Sequence, residues 1–341
     1  MRQLFSITTG CTDLYRNLAL EKHLMDRVQP GQCILYLWQN ANTVVIGRNQ
    51  CAQEECRIPE LEADGGRLAR RLSGGGAVYH DLGNLNFTFL TRRADYDVAR
   101  QTEVILQAVR ALGVPAVRTG RNDLVADGQK FSGHAYYRSG DTCYHHGTLM
   151  VNVALDRLGR YLKPAPDKLK AKGVQSVRAR VVNLAHYCPG LTIEALCSRL
   201  TDAFGRVYGL PVQPLPDGFV DDGAVEVLRA RFSAPDWLYG RSASDASSLH
   251  RAAGRFSWGG VTIRFALRDG RFSQVELHSD GLEADYLAGV PTRLDGCACT
   301  RQAVQQALAA GDVVPVLQNI ALDLTGLLLN GTSARREEDS V

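Results

Sequence analysis

The sequence predicts a mixed α/β protein in which a large domain precedes a small one. Its 341 residues are more than twice the ~150 that one domain typically needs. Segments with helical spacing alternate with segments of period two over about the first 210 residues. A proline-bearing polar stretch then separates these segments from a hairpin pattern near the carboxyl end. We therefore expect two folded domains joined by a linker.

Helices are predicted where apolar residues recur every three or four positions. In the first part of the chain these ranges are 13–27, 98–112, which Gly113 is expected to end, and 192–208. Strands are predicted at 33–38, 43–47 and 84–90. In the last of these, Leu85, Phe87 and Phe89 alternate with polar residues, which indicates a half-buried strand.

The linker is predicted from Pro211, Pro214 and Pro216 and the polar stretch that follows them. Beyond it, two alternating runs at 261–265 and 274–278 flank Asp269-Gly270, a pair typical of tight hairpins. Phe272 is out of phase by one residue, so we expect a bulge. The predicted organisation is a large domain at 1–210, a linker at 211–245, a small domain at 246–330, with helices at 300–308 and 314–329, and a loose tail at 331–341.

Composition excludes several classes of protein. Hydrophobic residues make up 45% and charged residues 22% of the chain, which is ordinary for a folded protein and not for a disordered one. A net charge of +3 does not favour nucleic-acid binding, and we expect no membrane segment because no apolar run approaches ~18 residues. Without a secretory signal, the nine cysteines are expected to be free thiols of a cytoplasmic protein.

A glycine-rich segment lies at 70–81, where Arg70 and Arg71 precede Leu-Ser-Gly-Gly-Gly. Three consecutive glycines suit a backbone that must approach a ligand closely or point N–H groups at an anion. The spacing is neither that of a P-loop nor that of a dinucleotide-binding fingerprint. Composition alone leaves two interpretations, an anion site and a flexible surface loop.

Two further segments contain candidate site residues. Asp123 is an oxygen donor of the kind that Mg²⁺ prefers, whereas Lys130 taken alone is an ordinary surface lysine. The connection between them is short and predicts a tight hairpin. His145 and His146 are adjacent on a predicted strand and point to opposite faces, so they are expected to pack or form hydrogen bonds instead of sharing a metal ion.

Several motifs together resemble the lipoate–protein ligase A family of the biotin/lipoate protein ligase superfamily. They lie in order over most of the chain and are Thr-Val-Val-Ile-Gly-Arg at 43–48, Arg-Arg-x-Ser-Gly-Gly-Gly-Ala-Val-x-His-Asp-Leu-Gly-Asn at 70–84, Gly-Arg-Asn-Asp-Leu at 120–124, Lys-x-Ser-Gly-x-Ala at 130–135, His-His-Gly-Thr-Leu at 145–149 and Ala-Lys-Gly-Val-x-Ser-Val-Arg at 171–178. Phe-Ser-Trp-Gly-Gly-Val at 256–261 resembles the start of that family's accessory domain.

The resemblance implies a mixed sheet with flanking helices and a small α+β accessory domain. It also implies a two-step reaction that uses ATP and Mg²⁺. Lipoate is converted to lipoyl-AMP with release of pyrophosphate, and a lysine of an acceptor protein then receives the lipoyl group. The implied acceptors are apo lipoyl domains of 2-oxoacid dehydrogenase complexes and the glycine cleavage H protein.

Site residues follow from the same resemblance. ATP would be held by Arg71, Gly76, Ala77, Val78, Tyr79 and Lys130, lipoate by Trp38, Arg71, Ser73, Gly75, His80 and Lys130, and the metal by Asp123. Lys130 is the implied catalytic residue. It would contact the intermediate without becoming a nucleophile, because a stable amide there would stop turnover. Tyr79 stands where the family pattern has Phe, which leaves a role of its backbone intact.

Two other functions remain open at this point. An ATP-independent lipoyl or octanoyl transferase would take a preformed thioester or amide, and Cys143 could then be a nucleophile. A lipoate- or nucleotide-binding module without catalysis is the non-enzymatic alternative. The basic stretch 163–180 is expected either to be a solvated face, to cover nucleotide phosphates through Lys172, or to meet acidic lipoyl domains.

Overall fold

The computed structural model of the chain describes residues 1–120, 122–163, 181–240, 249–309 and 314–338. Over 331–338 it describes the backbone alone, which is helical. These residues form two compact units. The first unit comprises Met1–Ile46, Ala52–Arg71 and Ala77–Leu238. The second comprises Gly47–Cys51, Leu72–Gly76 and Tyr239–Val341.

The elements of the first unit alternate along the chain, as the sequence predicts. Its strands are β1 (Gln3–Thr8), β2 (Gln32–Trp38), β3 (Thr43–Ile46), β4 (Arg67–Arg70), β5 (Val78–His80), β6 (Asn84–Arg92), β7 (Ala116–Thr119), β8 (Asp123–Ala126), β9 (Gln129–Ser139), β10 (Thr142–Met150) and β11 (Val212–Pro214). Its helices are α1 (Leu14–Arg27), α2 (Ala52–Glu55), α3 (Ile58–Ala63), α4 (Val98–Arg110), α5 (Leu155–Tyr161), α6 (Ile193–Tyr208), α7 (Asp222–Ser233) and α8 (Pro235–Tyr239), the last of which extends to the unit boundary.

Eight strands form one mixed sheet in the order β11-β1-β2-β6-β10-β9-β8-β7. Strand β1 pairs in parallel with β2 and β11, and the pairs from β2 to β7 are antiparallel. Strands β4, β3 and β5 form a separate three-stranded sheet. The predicted mixed sheet with flanking helices is therefore confirmed.

One face of the large sheet carries most of the apolar core. Helices α4 and α6 pack there against Leu85, Phe87 and Phe89 of β6, all fully buried. Burial of each such side chain contributes about 1.5–3 kcal/mol. The prediction that this strand is only half-buried is wrong, because its polar residues Asn84, Asn86 and Thr88 are buried on the other face as well. Helix α1 lies against the opposite face, where it contacts β2, β6 and β10.

Capping residues set where the main helices begin. Asp13, Asp97 and Thr192 each accept a hydrogen bond from the backbone N–H three residues later, which satisfies a donor that the first turn leaves free. Helix α6 ends at Gly209, whose φ of 65° lies in the left-handed region that glycine tolerates.

The described residues of the second unit form a three-stranded antiparallel sheet and four helices. The strands are β12 (His250–Phe256), β13 (Gly259–Arg268) and β14 (Arg271–Ser279), and the helices are α9 (Ala284–Ala288), α10 (Val290–Leu294), α11 (Arg301–Leu308) and α12 (Pro315–Glu338). Asp269 and Gly270 both have positive φ, 50° and 72°, as a tight hairpin turn requires. The predicted bulge is present: pairing shifts between Arg264 and Ala266, opposite Gln274, which has a φ of 52°. The α+β accessory domain is thus confirmed.

The proline-bearing range predicted as a linker contains regular structure. Pro214 ends the edge strand β11, a position that tolerates proline because its missing N–H is not needed there. Asp221 caps α7, which packs on α1 in the first unit. Likewise α12 extends into the predicted tail. The domain boundaries proposed from the sequence remain predictions.

All nine cysteines are free thiols, as expected. Within the described ranges, every helix is too short or too polar to cross a lipid bilayer.

We expect Gly83→Ala to destabilise the first unit. The Gly83 carbonyl accepts hydrogen bonds from the N–H groups of Val151 and Asn152, and a Cβ at Gly83 would lie 2.0 Å from the Asn152 carbonyl oxygen. Because backbone must move to relieve that overlap, the free energy of unfolding should fall by about 1–3 kcal/mol in a urea titration. Gly10→Ala, with no atom within 4 Å of the added Cβ, is the matched control and should change stability by less than ~0.5 kcal/mol. Equal values for the two variants would contradict this account of the turn.

Candidate active site

Lys130 and Asp123 meet on the hairpin formed by β8 and β9. The turn at Asp127 and Gly128 has φ values of 49° and 76°, so the predicted tight hairpin is confirmed. Lys130 Nζ lies 2.7 Å from Asp123 Oδ1, and both side chains are a little over one-third exposed. Asp123 Oδ1 makes no directional hydrogen bond among the described residues, so the contact is an ion pair.

A β-bulge determines which face of β9 holds Lys130. Asp123 lies opposite Gly133, but the register shifts so that Val125 lies opposite Lys130. Phe131 is the extra residue of β9. Residues three apart in a regular strand point to opposite faces. The extra residue instead brings Lys130 to the same face as Gly133, close to the Asp123 carboxylate.

Gly133 provides the space in which the lysine lies. A Cβ at this position would be 2.9 Å from Lys130 Nζ and 3.0 Å from its Cε. The Lys130 side chain therefore lies flat over the glycine backbone. Any larger residue at position 133 would lift the ammonium group away.

A second group of polar side chains surrounds Trp38 on the face of the sheet that α1 covers. The Trp38 indole donates to Thr88 Oγ1 at 3.1 Å, and the Thr88 hydroxyl donates to Glu21 Oε1 at 2.7 Å. His146 Nδ1 lies 2.8 Å from the same Glu21 oxygen. All four side chains are buried, so these bonds fix the orientation of the indole ring.

His80 lies beside this group and keeps an unused donor. Its Nδ1 accepts from Asn40 Nδ2 at 3.2 Å, and its ring meets that of Trp38 edge-on at 6.4 Å. Burial, aided by the charge of Arg71, lowers the pKa of His80 to about 3. A neutral imidazole with Nδ1 as acceptor carries its proton on Nε2, and this buried Nε2 has no partner in the described structure. The donor is thus available to an oxygen atom of a ligand.

Arg71 is a buried cation. Only 6% of it is exposed, and its Nη1 donates to the Val45 carbonyl at 3.1 Å. Burial lowers the pKa of Arg71 to about 10 while Tyr144 and Glu21 oppose the shift, so the guanidinium stays charged at neutral pH. A buried cation stabilises an anionic ligand more than the same charge in water would.

The predicted ATP-binding backbone begins just before β5. Val78 and Tyr79 pair with Val45 and Val44 in the small sheet, and Ala77 immediately precedes them. The Tyr79 hydroxyl donates to Asn42 Oδ1 at 3.0 Å. The hydroxyl that distinguishes Tyr79 from the family pattern therefore serves a local contact and leaves the backbone of β5 undisturbed.

The remaining predicted residues, Ser73, Gly75 and Gly76, belong to the second unit. There the Gly75 N–H donates to the Gly281 carbonyl at 3.3 Å, and the Ser73 carbonyl accepts from the Arg48 N–H at 2.9 Å. A Cβ at Gly74 would lie 2.1 Å from the Gly281 oxygen. The glycines are thus needed for close backbone packing, and the ligand roles of Ser73, Gly75 and Gly76 stay predictions.

The histidine pair behaves as the alternation predicts. His145 faces Gln101 of α4, and His146 faces Glu21 of α1. Cys143 is fully buried, and burial raises the pKa of its thiol, which disfavours the thiolate that a thioester mechanism needs. Residues 164–180 of the basic stretch, including Lys172, lie outside the described residues.

Glu21, Thr88, Asn40 and His134 are polar residues near the site that no sequence motif indicated. One signal was present for Glu21. It lies within the apolar repeat of α1 yet is only 2% exposed, and a carboxylate at such a position needs partners. The other three partnerships join residues far apart in the chain, so they depend on the fold.

The donor set is compatible with Mg²⁺ only if phosphates supply most of its ligands. Within the described ranges, no three His, Cys, Asp or Glu side chains come together to hold a metal ion. Mg²⁺ often binds through one or two carboxylates plus substrate phosphates and water. Asp123 suits the role of such a single carboxylate, although its Oδ1 is already ion-paired with Lys130.

Family models match both parts of the chain. Residues 13–205 match the lipoyl protein ligase A/B catalytic domain, and residues 248–325 match the bacterial lipoate protein ligase C-terminus. The chain belongs to the lipoyl protein ligase A/B family. Ligase or transferase chemistry on lipoyl groups is therefore the activity class that its membership supports.

Solved structures agree with the family assignment. P. falciparum LipL1 in complex with lipoate has 24% identity and a TM-score of 0.82, over 97% of this chain and 100% of LipL1. A bi-partite lipoate protein ligase from Thermoplasma acidophilum, part of a lipoylation system with its E2 lipoyl domain, has 26% identity and a TM-score of 0.63 over 72% of this chain and 98% of its own. A lipoate-protein ligase A bound with ATP has 26% identity and a TM-score of 0.60, over 70% and 98%.

We expect His80 to contribute to acid sensitivity. Its folded pKa of about 3 lies below the ~6.5 of an unfolded histidine. Between those values only the unfolded state binds the proton, so the stability due to neutral His80 is present above pH ~6.5 and is lost as pH falls. In His80→Asn the Oδ1 can still accept from Asn40 but cannot titrate. The free energy of unfolding, measured in urea between pH 6 and pH 4, should therefore depend on pH less steeply in His80→Asn than in wild type, by about 1.4 kcal/mol per pH unit. An unchanged slope would mean that His80 is already protonated in the folded protein.

Proposed function

We propose that this chain is an ATP-dependent lipoate–protein ligase. In the first step a lipoate carboxylate oxygen attacks the α-phosphorus of ATP, the bond to the β-phosphate oxygen breaks, and pyrophosphate leaves. In the second step a lysine amine of the acceptor attacks the lipoyl carbonyl carbon. The bond to the AMP oxygen then breaks, AMP leaves, and the amine loses a proton to give an amide.

The position of Lys130 is the observation that carries this proposal. Its ammonium group is held by Asp123 at 2.7 Å above the backbone of Gly133. Both steps develop negative charge on oxygen, first around the α-phosphorus and then on the acyl carbonyl. A cation held in one place stabilises that charge without reorganising. Lys130 is therefore the catalytic residue of the proposal, and its charge, not nucleophilic attack, is what it supplies.

The first unit offers further groups that suit the substrates. Trp38 presents an aromatic surface to an alkyl chain, and the free Nε2–H of His80 can donate to a polar atom of the ligand. Arg71 supplies a buried positive charge for a carboxylate or phosphate. Mg²⁺ would arrive with the nucleotide, with Asp123 as its protein ligand, and would neutralise phosphate charge.

Lipoyl domains are the proposed acceptors. The T. acidophilum ligase and its E2 lipoyl domain belong to one lipoylation system, and this supports an acceptor of the same class here. The proposal extends to lipoyl domains of 2-oxoacid dehydrogenase complexes and to the glycine cleavage H protein.

One assay tests the proposal. Purified protein is incubated with lipoate, ATP, Mg²⁺ and an apo lipoyl domain, while pyrophosphate release and the mass of the acceptor are followed. Release of pyrophosphate together with a lipoyl mass shift is the expected result. Modification that requires a lipoyl or octanoyl thioester and no ATP would replace the ligase with the transferase. Binding of lipoate without either product would overturn an enzymatic function.

Lys130→Ala should lower the rate of pyrophosphate release by about 10²–10³-fold, the usual loss when a donor to a developing anion is removed. The matched control is Lys22→Ala. Lys22 pairs with Asp26 one turn further along α1, its side chain is 19% exposed, and its loss should leave the rate unchanged. A circular dichroism spectrum that matches wild type shows that Lys130→Ala folds. Full activity of a folded Lys130→Ala variant would refute the assigned role.

Gly133→Ala should reduce the same rate while Lys130 remains in the chain. The added Cβ would displace the far end of the lysine, which is flexible, so the fold is expected to survive. A displacement near 1 Å costs about 10²-fold when a charge must be placed accurately. Gly159→Ala, with open space at its Cβ, serves as the control. Wild-type rates for both variants would show that catalysis does not require the Lys130 side chain to lie over the Gly133 backbone.

A further inference from the structure

A chain of hydrogen bonds lies behind the Lys130 strand, on the face that packs against α4. Ser132 Oγ is 3.1 Å from His134 Nε2, and His134 Nδ1 is 2.9 Å from His145 Nε2. His145 Nδ1 is in turn 3.1 Å from Gln101 Oε1. The four side chains are at most 5% exposed. They connect β9 through β10 to α4, and no step of the proposed reaction uses them.

The chain of hydrogen bonds determines which nitrogen of each imidazole ring carries the proton. In the His134–His145 bond one nitrogen must donate and the other accept, and burial keeps both imidazoles neutral by lowering their pKa values. The Gln101 carbonyl faces His145, so His145 carries its proton on Nδ1, His134 does the same, and Ser132 donates to His134. The Gln101 amide nitrogen has no partner in the described structure. If the Gln101 amide is rotated by 180° so that its nitrogen faces His145, each hydrogen bond of the chain reverses direction. Both His134 and His145 then carry their proton on Nε2. In either arrangement the two histidines have the same tautomer.

His134 also holds the segment that leads into β8. Its backbone N–H donates to the Asn122 carbonyl at 2.7 Å, and the Asn122 side chain donates to the His134 carbonyl at 3.1 Å. Asn122 directly precedes Asp123. Within the same strand, His134 directly follows Gly133, over which Lys130 lies. His134 is therefore bonded to Asn122, which precedes Asp123 at the start of one strand, and is adjacent in the other strand to Gly133, over which Lys130 lies.

The buried chain opposes any slip of β9 past its neighbours. A shift by one residue would remove the bulge and carry Ser132 and His134 to the opposite face. His145 would then be left without its partner in the core, which is costly for a buried polar group. The same slip would move Lys130 away from the face of Gly133.

We propose that His134 is a positioning residue that holds the Lys130–Asp123 pair in place by linking its hairpin to His145 and Gln101. This inference rests on the proposed role of Lys130. It assigns no contact between His134 and the substrates.

Two near-isosteric substitutions of His134 distinguish the effect of its hydrogen bond to His145 from that of its hydrogen bond to Ser132. In His134→Asn the side-chain amide can replace Nδ1 and keep the bond to His145. In His134→Gln the amide reaches the place of Nε2 and keeps only the bond to Ser132. We expect His134→Gln to lower kcat for pyrophosphate release by about 10- to 100-fold with little change in the KM for lipoate. His134→Asn should stay within about 3-fold of wild type. If His134 had a merely structural role, the loss of kcat would instead follow the loss of thermal stability. Thermal stability is therefore measured for both variants.

Two readouts do not depend on catalysis. Nitrogen-15 NMR of histidine-labelled full chain should show the same neutral tautomer for His134 and His145. Acetylation of Lys130 by an amine-reactive ester, followed by mass spectrometry, should be several-fold faster in His134→Gln than in wild type or His134→Asn, with Lys22 as the internal reference. If wild type released no pyrophosphate while these two readouts held, the proposed function would fail and the positioning role would stand. Unlike tautomers, or equal kcat and equal Lys130 labelling in both variants, would overturn the inference.

Discussion

The one-residue bulge at Phe131 is the constraint on which the proposed site depends. Because of it, Lys130 and Gly133 share a face of β9, and the ammonium group reaches Asp123 at 2.7 Å. A regular strand would place the two residues on opposite faces. The bulge is held from both sides, by the tight turn at Asp127-Gly128 and by the buried bonds of Ser132 and His134.

The two faces of the large sheet have different electrostatic roles. On the α4 side, neutral histidines satisfy one another within an apolar core. On the α1 side, Arg71 keeps a buried charge and His80 keeps a buried donor without a partner. An unsatisfied buried donor such as His80 Nε2 lowers stability, and a ligand atom that accepts from it recovers part of that loss. The buried charge of Arg71 distinguishes the two faces, and it supports the proposal that an anionic, partly apolar ligand binds on the α1 side.

Much of the fold followed from periodicity. The helical spacing of 13–27 predicts α1, and the alternation of Leu85, Phe87 and Phe89 reports which face of β6 joins the apolar core, although both faces of that strand are buried. Local capping by Asp13 sets where α1 begins. The range after Leu210 was harder to predict, since its prolines indicated a linker. Pro214 is accommodated because β11 lies at the sheet edge, and a sequence does not state which strand is at the edge.

By itself, the sequence determined the mixed α/β class, both tight Asp-Gly hairpins and, through motifs in a shared order, the family and the identity of Lys130, Asp123, Arg71 and His80 as site candidates. These features depend on local backbone preferences or on residue types at fixed spacing. Only the tertiary structure decided that Glu21 and Thr88 orient Trp38, that Gly133 makes room for Lys130, and that His134 bonds His145. Such contacts join different strands and helices. They depend on strand order, register and the bulge, which arise when the whole sheet packs.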